Sequence, residues 1–191
     1  LSTARGVEML AEARARGVRA SGDVALHQLF LSEHDLEHFD ANCHLVPPLR
    51  TPADRDALRA ALAEGVLTAV CSDHQPHDPD AKLGPFPETA PGLSGLETVL
   101  PLALRLVEEG VFDLMGMIER LTVGPAAILE RDLGRLAPGA AADLCVFDPE
   151  ALWTPSPATW ISQGHNTPFM GHELRGRVSW TLLGGRIVFE R

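Results

Sequence analysis

An apolar run that ends abruptly in polar side chains constrains this chain more than any other feature of its sequence. The run Leu67–Cys71 leads through a serine to Asp73, and two histidines follow at His74 and His77. A buried strand that ends in this way delivers a carboxylate and imidazoles to its carboxyl end, where parallel α/β proteins place their chemistry. A carboxylate at such a position can bind a metal ion and accept a proton from metal-bound water.

Helices and strands alternate in the first part of the chain. A helix over residues 2–16 precedes a strand over Val18–Ala25, and a helix over residues 51–64, capped by Thr51, precedes the strand that starts at Leu67. Each strand opens into a long loop. This order predicts a parallel βα arrangement, in which the carboxyl ends of the strands lie together.

Helices continue to about residue 131, and short strands follow. The capping box at Ser94 predicts a helix to about Glu109 that Pro101 should kink, and Asp113 and Pro125 begin two more helices. Strands are predicted over Ala142–Phe147, Val178–Leu183 and Arg186–Phe189, with Gly184-Gly185 as the turn of a hairpin. We therefore predict an α/β part over residues 1–131 and a small β part over residues 132–191.

The composition excludes several classes of protein. The 191 residues are 45% hydrophobic and 22% charged, which is typical of a globular chain, and the net charge of -10 argues against a nucleic-acid surface. No apolar run reaches the length of a membrane span. Cys43, Cys71 and Cys145 are far apart and form no CxxC motif, which fits a reducing cytoplasm.

The residues around Asp73 admit two interpretations. Asp73 alone could be a cap at a strand end, which is common. His77 favours a catalytic or metal-binding role, because Asp-x-x-Pro-His holds an acid and a neutral donor together on a stiffened loop. His27 could face the same mouth, whereas we expect His74 to hold the loop by bonding to backbone. Since a catalytic zinc site has about three protein ligands, either the other ligands lie outside this chain or no metal binds.

Four short motifs resemble those of dihydroorotases. They are Ser72-Asp73-His74-Gln75-Pro76-His77, Pro47-Pro48-Leu49-Arg50, Gly95-Leu96-Glu97-Thr98 and Asn166-Thr167-Pro168-Phe169. The stretch Gly134–Leu144 is similar to the exit motif of the wider amidohydrolase superfamily, Gly-x-Leu-x-Pro-Gly-x-x-Ala-Asp-Leu. His77 distinguishes the chain from hydantoinases and allantoinases, which usually lack it. The chain thus resembles the C-terminal half of a class I dihydroorotase.

This resemblance implies a fold, a reaction and roles for particular residues. The fold is the C-terminal part of a (β/α)8 TIM-like metal-dependent hydrolase barrel, with strands seven and eight in residues 1–131 and a flanking β domain segment in residues 132–191. The reaction is the zinc-dependent interconversion of N-carbamoyl-L-aspartate and L-dihydroorotate in pyrimidine synthesis. Asp73 matches the family's metal ligand and general base, His77 a residue that binds the substrate carboxylate, and Gly92 a loop position that touches the substrate ring.

Three positions near the implied substrate depart from the family pattern. Val46 stands where the family has an asparagine that helps bind the substrate carboxylate, and losing such a bond to a charged partner costs about 1.5–3 kcal/mol. His44 replaces a lysine, and Pro91 replaces a phenylalanine. These departures resemble the non-catalytic dihydroorotase homologues that assemble and stabilise aspartate carbamoyltransferase, which gives a second hypothesis. A third is another cyclic amide hydrolase, such as a hydantoinase.

The family's other metal ligands have no counterpart in this chain. The histidine pair after strand one and the histidines of strands five and six are absent, and Ser2-Thr3 resembles the pair that follows the last of them. We therefore expect the N-terminal half of the same barrel to be the chain's partner, with one or two zinc ions in the intact form and homo-oligomeric assembly.

Overall fold

The computed structural model describes the whole chain, Leu1–Arg191, as an α/β part followed by a small antiparallel sheet. None of its helices combines the length and apolar character needed to cross a bilayer. The elements, in chain order, are α1 (Ala4–Ala15), β1 (Asp23–Ala25), α2 (Pro52–Ala63), β2 (Ala69–Cys71), α3 (Val99–Glu108), α4 (Leu114–Leu121), α5 (Val123–Ile128), β3 (Leu144–Trp153), β4 (Leu174–Leu183) and β5 (Arg186–Glu190).

The first two helices begin at the caps that the sequence predicts. The Thr3 hydroxyl accepts a hydrogen bond from the Gly6 N–H at 3.1 Å, and the Thr51 hydroxyl accepts one from the Asp54 N–H at 3.2 Å. The Asp54 carboxylate also accepts a bond from the Ala4 N–H at 2.8 Å. One side chain therefore joins the N-termini of α1 and α2.

The two short strands β1 and β2 pair in parallel, as predicted. Ala25 lies opposite Cys71 at the carboxyl ends of the strands, so the residues that follow both strands meet at one edge. The predicted strands Val18–Ala25 and Leu67–Cys71 both began too early, since β1 starts at Asp23 and β2 at Ala69. Gly22, just before β1, packs so closely on Leu10 that an added Cβ would lie 2.8 Å from that side chain, and beyond β2 Asp73 leaves the extended conformation with φ 45°.

An apolar core of 19 buried residues fills the space between the parallel strands and helices α2, α3 and α4. Leu58 and Leu62 of α2 and Leu102 and Leu106 of α3 are among its fully buried side chains. The core also includes Phe169 from the segment before β4. This packing holds in place the carboxyl ends of the parallel strands, where the candidate site lies.

The predicted capping box at Ser94 was wrong. The Ser94 hydroxyl instead accepts a bond from the Trp160 indole N–H at 3.2 Å, and the Glu97 carboxylate accepts bonds from the backbone of Ile161 and Ser162. The α-helix begins at Val99, after a short 3-10 turn. Pro101 therefore lies in the first turn of α3, where its missing N–H breaks no helical hydrogen bond and no kink is required.

The last three strands form an antiparallel sheet in the order β3-β4-β5, with the predicted Gly184-Gly185 hairpin between β4 and β5. β3 and β4 run further than predicted, because a bulge between Asp148 and Leu152 lets the pairing continue to Trp153 opposite Leu174. β4 packs on α3. The division of the chain at residue 131 stays a prediction.

Candidate functional site at the carboxyl ends of the parallel strands

Asp73 lies two residues beyond β2, at the carboxyl end of the parallel pair. Its φ of 45° falls in the left-handed region, which aspartate tolerates better than most residues and which is common at functional sites. The side chain is half-buried, and its Oδ1 accepts a hydrogen bond from the Gln75 amide at 3.2 Å. The other carboxylate oxygen has no partner within the chain.

His27 occupies the equivalent position beyond β1. It follows Ala25 by two residues, as Asp73 follows Cys71, and those two strand residues are paired. The imidazole is 3% exposed, and its Nδ1 is buried without a hydrogen-bond partner. Burial lowers the pKa of His27 to about 4, against the opposing effect of the Asp73 charge. His27 is therefore a neutral imidazole next to the carboxylate, as its position at a strand end had suggested.

His77 is anchored at both its backbone and its ring. Its N–H donates to the Asn166 side-chain oxygen at 2.8 Å, and its Nε2 lies 3.0 Å from the Pro91 carbonyl. The Asn166 amide in turn donates to the carbonyls of Gln75 and Gly92, at 3.0 and 3.1 Å. One buried asparagine thus joins the loop that carries His77 to the loop that carries Gly92.

Gly92 is held in a conformation that suits only glycine. Its φ is 122°, and an added Cβ would lie 2.5 Å from Oε1 of Gln75. Its N–H donates to the His44 carbonyl at 2.8 Å, and its carbonyl accepts bonds from Asn166 and Lys82. Both backbone polar groups of Gly92 are therefore engaged within the protein.

Val46 lies two residues after His44, whose carbonyl accepts the hydrogen bond from the Gly92 N–H. Its side chain is 65% exposed. The neighbouring His44 ring stacks on Phe86 with centroids 4.6 Å apart, and its Nδ1 lies 2.8 Å from the Thr89 hydroxyl. The departures from the family pattern at His44 and Val46 thus lie on the loop that contacts the Gly92 segment.

Contacts link the three segments that carry the four predicted site residues, residues 73–77, 90–92 and 44–46, and together these segments form a rim. Direct contacts lead from Asp73 to Gln75 and then to Gly92, whose neighbour Pro91 binds His77 and whose N–H binds the loop of Val46. Asn166 holds this rim together and was quoted from the sequence only as part of a motif. Lys82 was missed altogether; its one visible signal is that it is the sole lysine of the chain.

Three other histidines lie outside the rim or hold its loop. The His74 ring accepts a hydrogen bond at Nδ1 from the Leu96 N–H at 3.2 Å, in keeping with its expected role of holding the loop. His34 and His38 are exposed, on and beside an acidic 3-10 turn, Glu33–Leu36. Neither takes part in the rim.

The donor set of the chain fits part of a metal site. Asp73 offers a free carboxylate oxygen at the mouth, which is chemistry that zinc accepts. No group of three or more His, Cys, Asp or Glu side chains in the chain is placed to hold a metal ion. A catalytic zinc site has about three protein ligands, so Asp73 alone does not complete such a set.

The sequence of the chain is similar to known proteins over its full length. A profile of the amidohydrolase family matches residues 9–188. A dihydroorotase-like protein of Pseudomonas aeruginosa is 50% identical over 190 residues, which cover 100% of this chain and 45% of the relative. A dihydroorotase of Syntrophus aciditrophicus is 41% identical over 190 residues, with the same coverage of 100% and 45%.

Solved structures show the same fold. L-hydantoinase (dihydropyrimidinase) from Arthrobacter aurescens superposes with a TM-score of 0.91 at 26% identity, over 100% of this chain and 44% of that one. D-hydantoinase (dihydropyrimidinase) from Thermus sp. gives a TM-score of 0.90 at 27% identity, over 100% and 43%. The chain spans less than half the length of each of these relatives.

Proposed function

Since the chain belongs to the amidohydrolase family, we propose that it is the C-terminal half of a dihydroorotase, which interconverts N-carbamoyl-L-aspartate and L-dihydroorotate in cytoplasmic pyrimidine synthesis. β1 and β2 are then strands seven and eight of a (β/α)8 barrel, and the other strands lie on the N-terminal half. Residues 132–191 contribute to the flanking β domain, and the intact protein is a zinc-dependent homo-oligomer. The observation that carries the proposal is the placement of Asp73 at the carboxyl end of β2, on one rim with His77.

Asp73 has the chemistry of a metal ligand and proton carrier. A zinc ion held by one of its oxygens would supply Lewis-acid activation of the ring amide and of water. The Gln75 amide occupies Oδ1, so the two carboxylate oxygens are not equivalent. Asp73 accepts the proton of the attacking water and returns it to the ring nitrogen as the carbon–nitrogen bond breaks.

The rest of the rim receives the substrate. Nε2 of His77 donates to the Pro91 carbonyl, which only accepts, so a hydrogen bond from His77 to the substrate carboxylate requires a proton on Nδ1 as well. Gly92 has no free backbone donor, and Gln75 fills the space that a side chain at 92 would take, so Gly92 would meet the substrate ring through van der Waals contact of its main chain. Val46 offers an apolar contact where an amide would have offered a hydrogen bond.

A second candidate function is that of a non-catalytic subunit that assembles and stabilises aspartate carbamoyltransferase. The specific observation in its favour is that His44 uses its ring to bind Phe86 and Thr89, while Val46 has no hydrogen-bonding group. The relative that is 50% identical carries the name dihydroorotase-like protein. The structural similarity to hydantoinases keeps a related cyclic amide as a third candidate substrate.

The decisive experiment compares Asp73→Asn with the unaltered full-length protein, loaded with zinc and assayed for opening of the L-dihydroorotate ring. Loss of the proton carrier should lower kcat by roughly 10²–10⁴-fold. Asp78→Asn is the matched control, because Asp78 is an exposed acid of the same loop whose side chain caps nothing. It should retain the activity of the unaltered protein.

Turnover by the unaltered protein that is no faster than that of Asp73→Asn would overturn the enzymatic proposal. The same preparation then decides between the other candidates. Co-purification with aspartate carbamoyltransferase, with loss of carbamoyltransferase activity on removal, would identify the scaffold. Hydrolysis of a hydantoin in place of dihydroorotate would identify a different amide hydrolase.

A further inference from the structure

Lys82 binds three main-chain carbonyls, and we propose that it is a positioning residue that sets the substrate-facing conformation of the segment Ala90–Gly92. This inference rests on the proposed function, because it assigns a role to Lys82 at the same rim. Lys82 itself touches no position that the substrate would occupy. It acts through the peptide groups that it binds and through His77.

The geometry at the ammonium group uses every proton that it has. The Lys82 Nζ lies 2.6 Å from the Ala90 carbonyl oxygen, 2.8 Å from that of Gly92 and 3.0 Å from that of Ala41. The side chain is half-buried and takes part in none of the ion pairs of the chain. The charge is thus balanced chiefly by peptide dipoles, which fixes the directions of three carbonyl groups at once.

Two of these bonds determine the direction of the carbonyl between them. The carbonyls of Ala90 and Gly92 both point at Lys82, and the intervening Pro91 carbonyl points at Nε2 of His77 instead. The other hydrogen bonds of the segment engage the Ala90 N–H, the Gly92 N–H and the Gly92 carbonyl, and proline at 91 has no N–H, so Lys82 is the one partner of the Ala90 carbonyl. Lys82 therefore fixes the carbonyl that orients the His77 ring.

The third bond ties this segment to the loop that precedes Val46. Ala41 belongs to that loop, and its carbonyl accepts from Lys82 while the His44 carbonyl accepts from the Gly92 N–H. Both contacts draw the two loops together at the rim. Lys82 thus sets the distance between the His77 side and the Val46 side of the site.

The composition of the chain supports a specific requirement for lysine. Lys82 is the only lysine among its 16 lysine and arginine residues. An ammonium group donates in three tetrahedral directions, whereas a guanidinium group donates within one plane. Three carbonyls that converge from two loops match the ammonium geometry, so arginine cannot replace lysine here.

The test uses the full-length protein with Lys82→Met, which keeps an unbranched chain as far as the ε position and removes the ammonium group. Two quantities are measured: hydrogen exchange of the backbone amides of Ala90 and Gly92 by mass spectrometry, and the Kd for L-dihydroorotate. We expect faster exchange in this segment and binding weaker by roughly tenfold or more, with the far side of the molecule unchanged. Lys82→Arg should behave like Lys82→Met, and adding propylammonium to Lys82→Ala should restore binding in part.

Arg19→Met is the matched control, because Arg19 is an almost fully exposed cation away from the rim. It should leave both quantities unchanged. Unchanged exchange at Ala90 and Gly92 in Lys82→Met, or full binding by Lys82→Arg, would overturn the proposal. If the unaltered protein binds no dihydroorotate, the proposed function fails, and the exchange measurement alone still decides whether Lys82 sets the loop.

Discussion

At the scale of single residues, His27 has a side-chain pKa that its surroundings lower strongly. Burial holds its pKa at about 4, below the ordinary value of 6.5. The unfolded chain therefore binds a proton between these two pH values and the folded chain does not. The free energy of unfolding should fall as the pH is lowered from 6.5 to 4, by roughly 3 kcal/mol in total, and it should be insensitive to His27 above pH 6.5.

Urea unfolding of the full-length protein at a series of pH values checks this expectation. His27→Gln removes the titrating group and should flatten the pH dependence between 6.5 and 4. His34→Gln is the matched control, since His34 is an exposed histidine nearby in the chain, and it should keep the slope of the unaltered protein. Equal slopes for His27→Gln and the unaltered protein would contradict the prediction.

The sequence predicted individual site residues only where the determinants were local. Asp73 and His77 are four residues apart at the end of one strand, so their common position at the strand mouth followed from the pattern. The partners that hold them could not be found in this way. Asn166 is 89 residues from His77, and Lys82 binds a carbonyl 41 residues away. Such contacts depend on how the loops fold back, which no local pattern records.

At the scale of elements, the bond between Asp54 and the start of α1 is the contact whose removal is easiest to interpret. Asp54 accepts hydrogen bonds from the Ala4 N–H and the Thr51 hydroxyl, and these bonds lower the pKa of its carboxyl group. Asp54→Ala should reduce the free energy of unfolding by about 1 kcal/mol, the usual effect of losing a helix cap. Thermal or urea unfolding of the full-length protein measures this.

Two further variants separate the cap from a general effect of charge. Asp54→Asn keeps an acceptor oxygen and should recover much of the loss. Asp56→Ala removes an exposed acid from the same helix and should change stability by less than the cap variant does. An Asp56→Ala effect as large as that of Asp54→Ala would show that the link to α1 carries no special stabilisation.

Helix starts were predicted correctly where the capping side chain bonds within its own helix, and wrongly where it bonds to a distant segment. Helices α1, α2 and α4 begin at a threonine or aspartate that bonds within its own first turn, which the sequence displays directly. Ser94 and Glu97 also match a capping pattern, but both bind the segment around Trp160 instead. The local pattern was the same, and a tertiary partner decided the outcome.

At the scale of the whole molecule, two surfaces present groups that a folded protein usually covers. The parallel pair β1-β2 has an open edge on each side, and the small sheet exposes apolar side chains. These exposed side chains on β4 and β5 are Trp180, Leu183, Ile187 and Val188. Open edges and exposed apolar side chains favour association with another chain or segment. The N-terminal half of the same protein is the partner that the proposed function provides for both.

This partner makes the final prediction specific. Co-expression of the N-terminal half with residues 1–191 should give a soluble 1:1 complex, whereas residues 1–191 alone should bind a hydrophobic dye and self-associate. Ile187→Asp should weaken the complex, because Ile187 is 59% exposed on the apolar sheet. Leu83→Asp is the matched control, since Leu83 is 70% exposed and belongs to neither the β1-β2 pair nor the small sheet. If a charge at Ile187 is tolerated as well as one at Leu83, the small sheet faces water in the intact protein. The N-terminal half would then not cover β4 and β5, while the unpaired edges of β1 and β2 would still require strands of that half beside them.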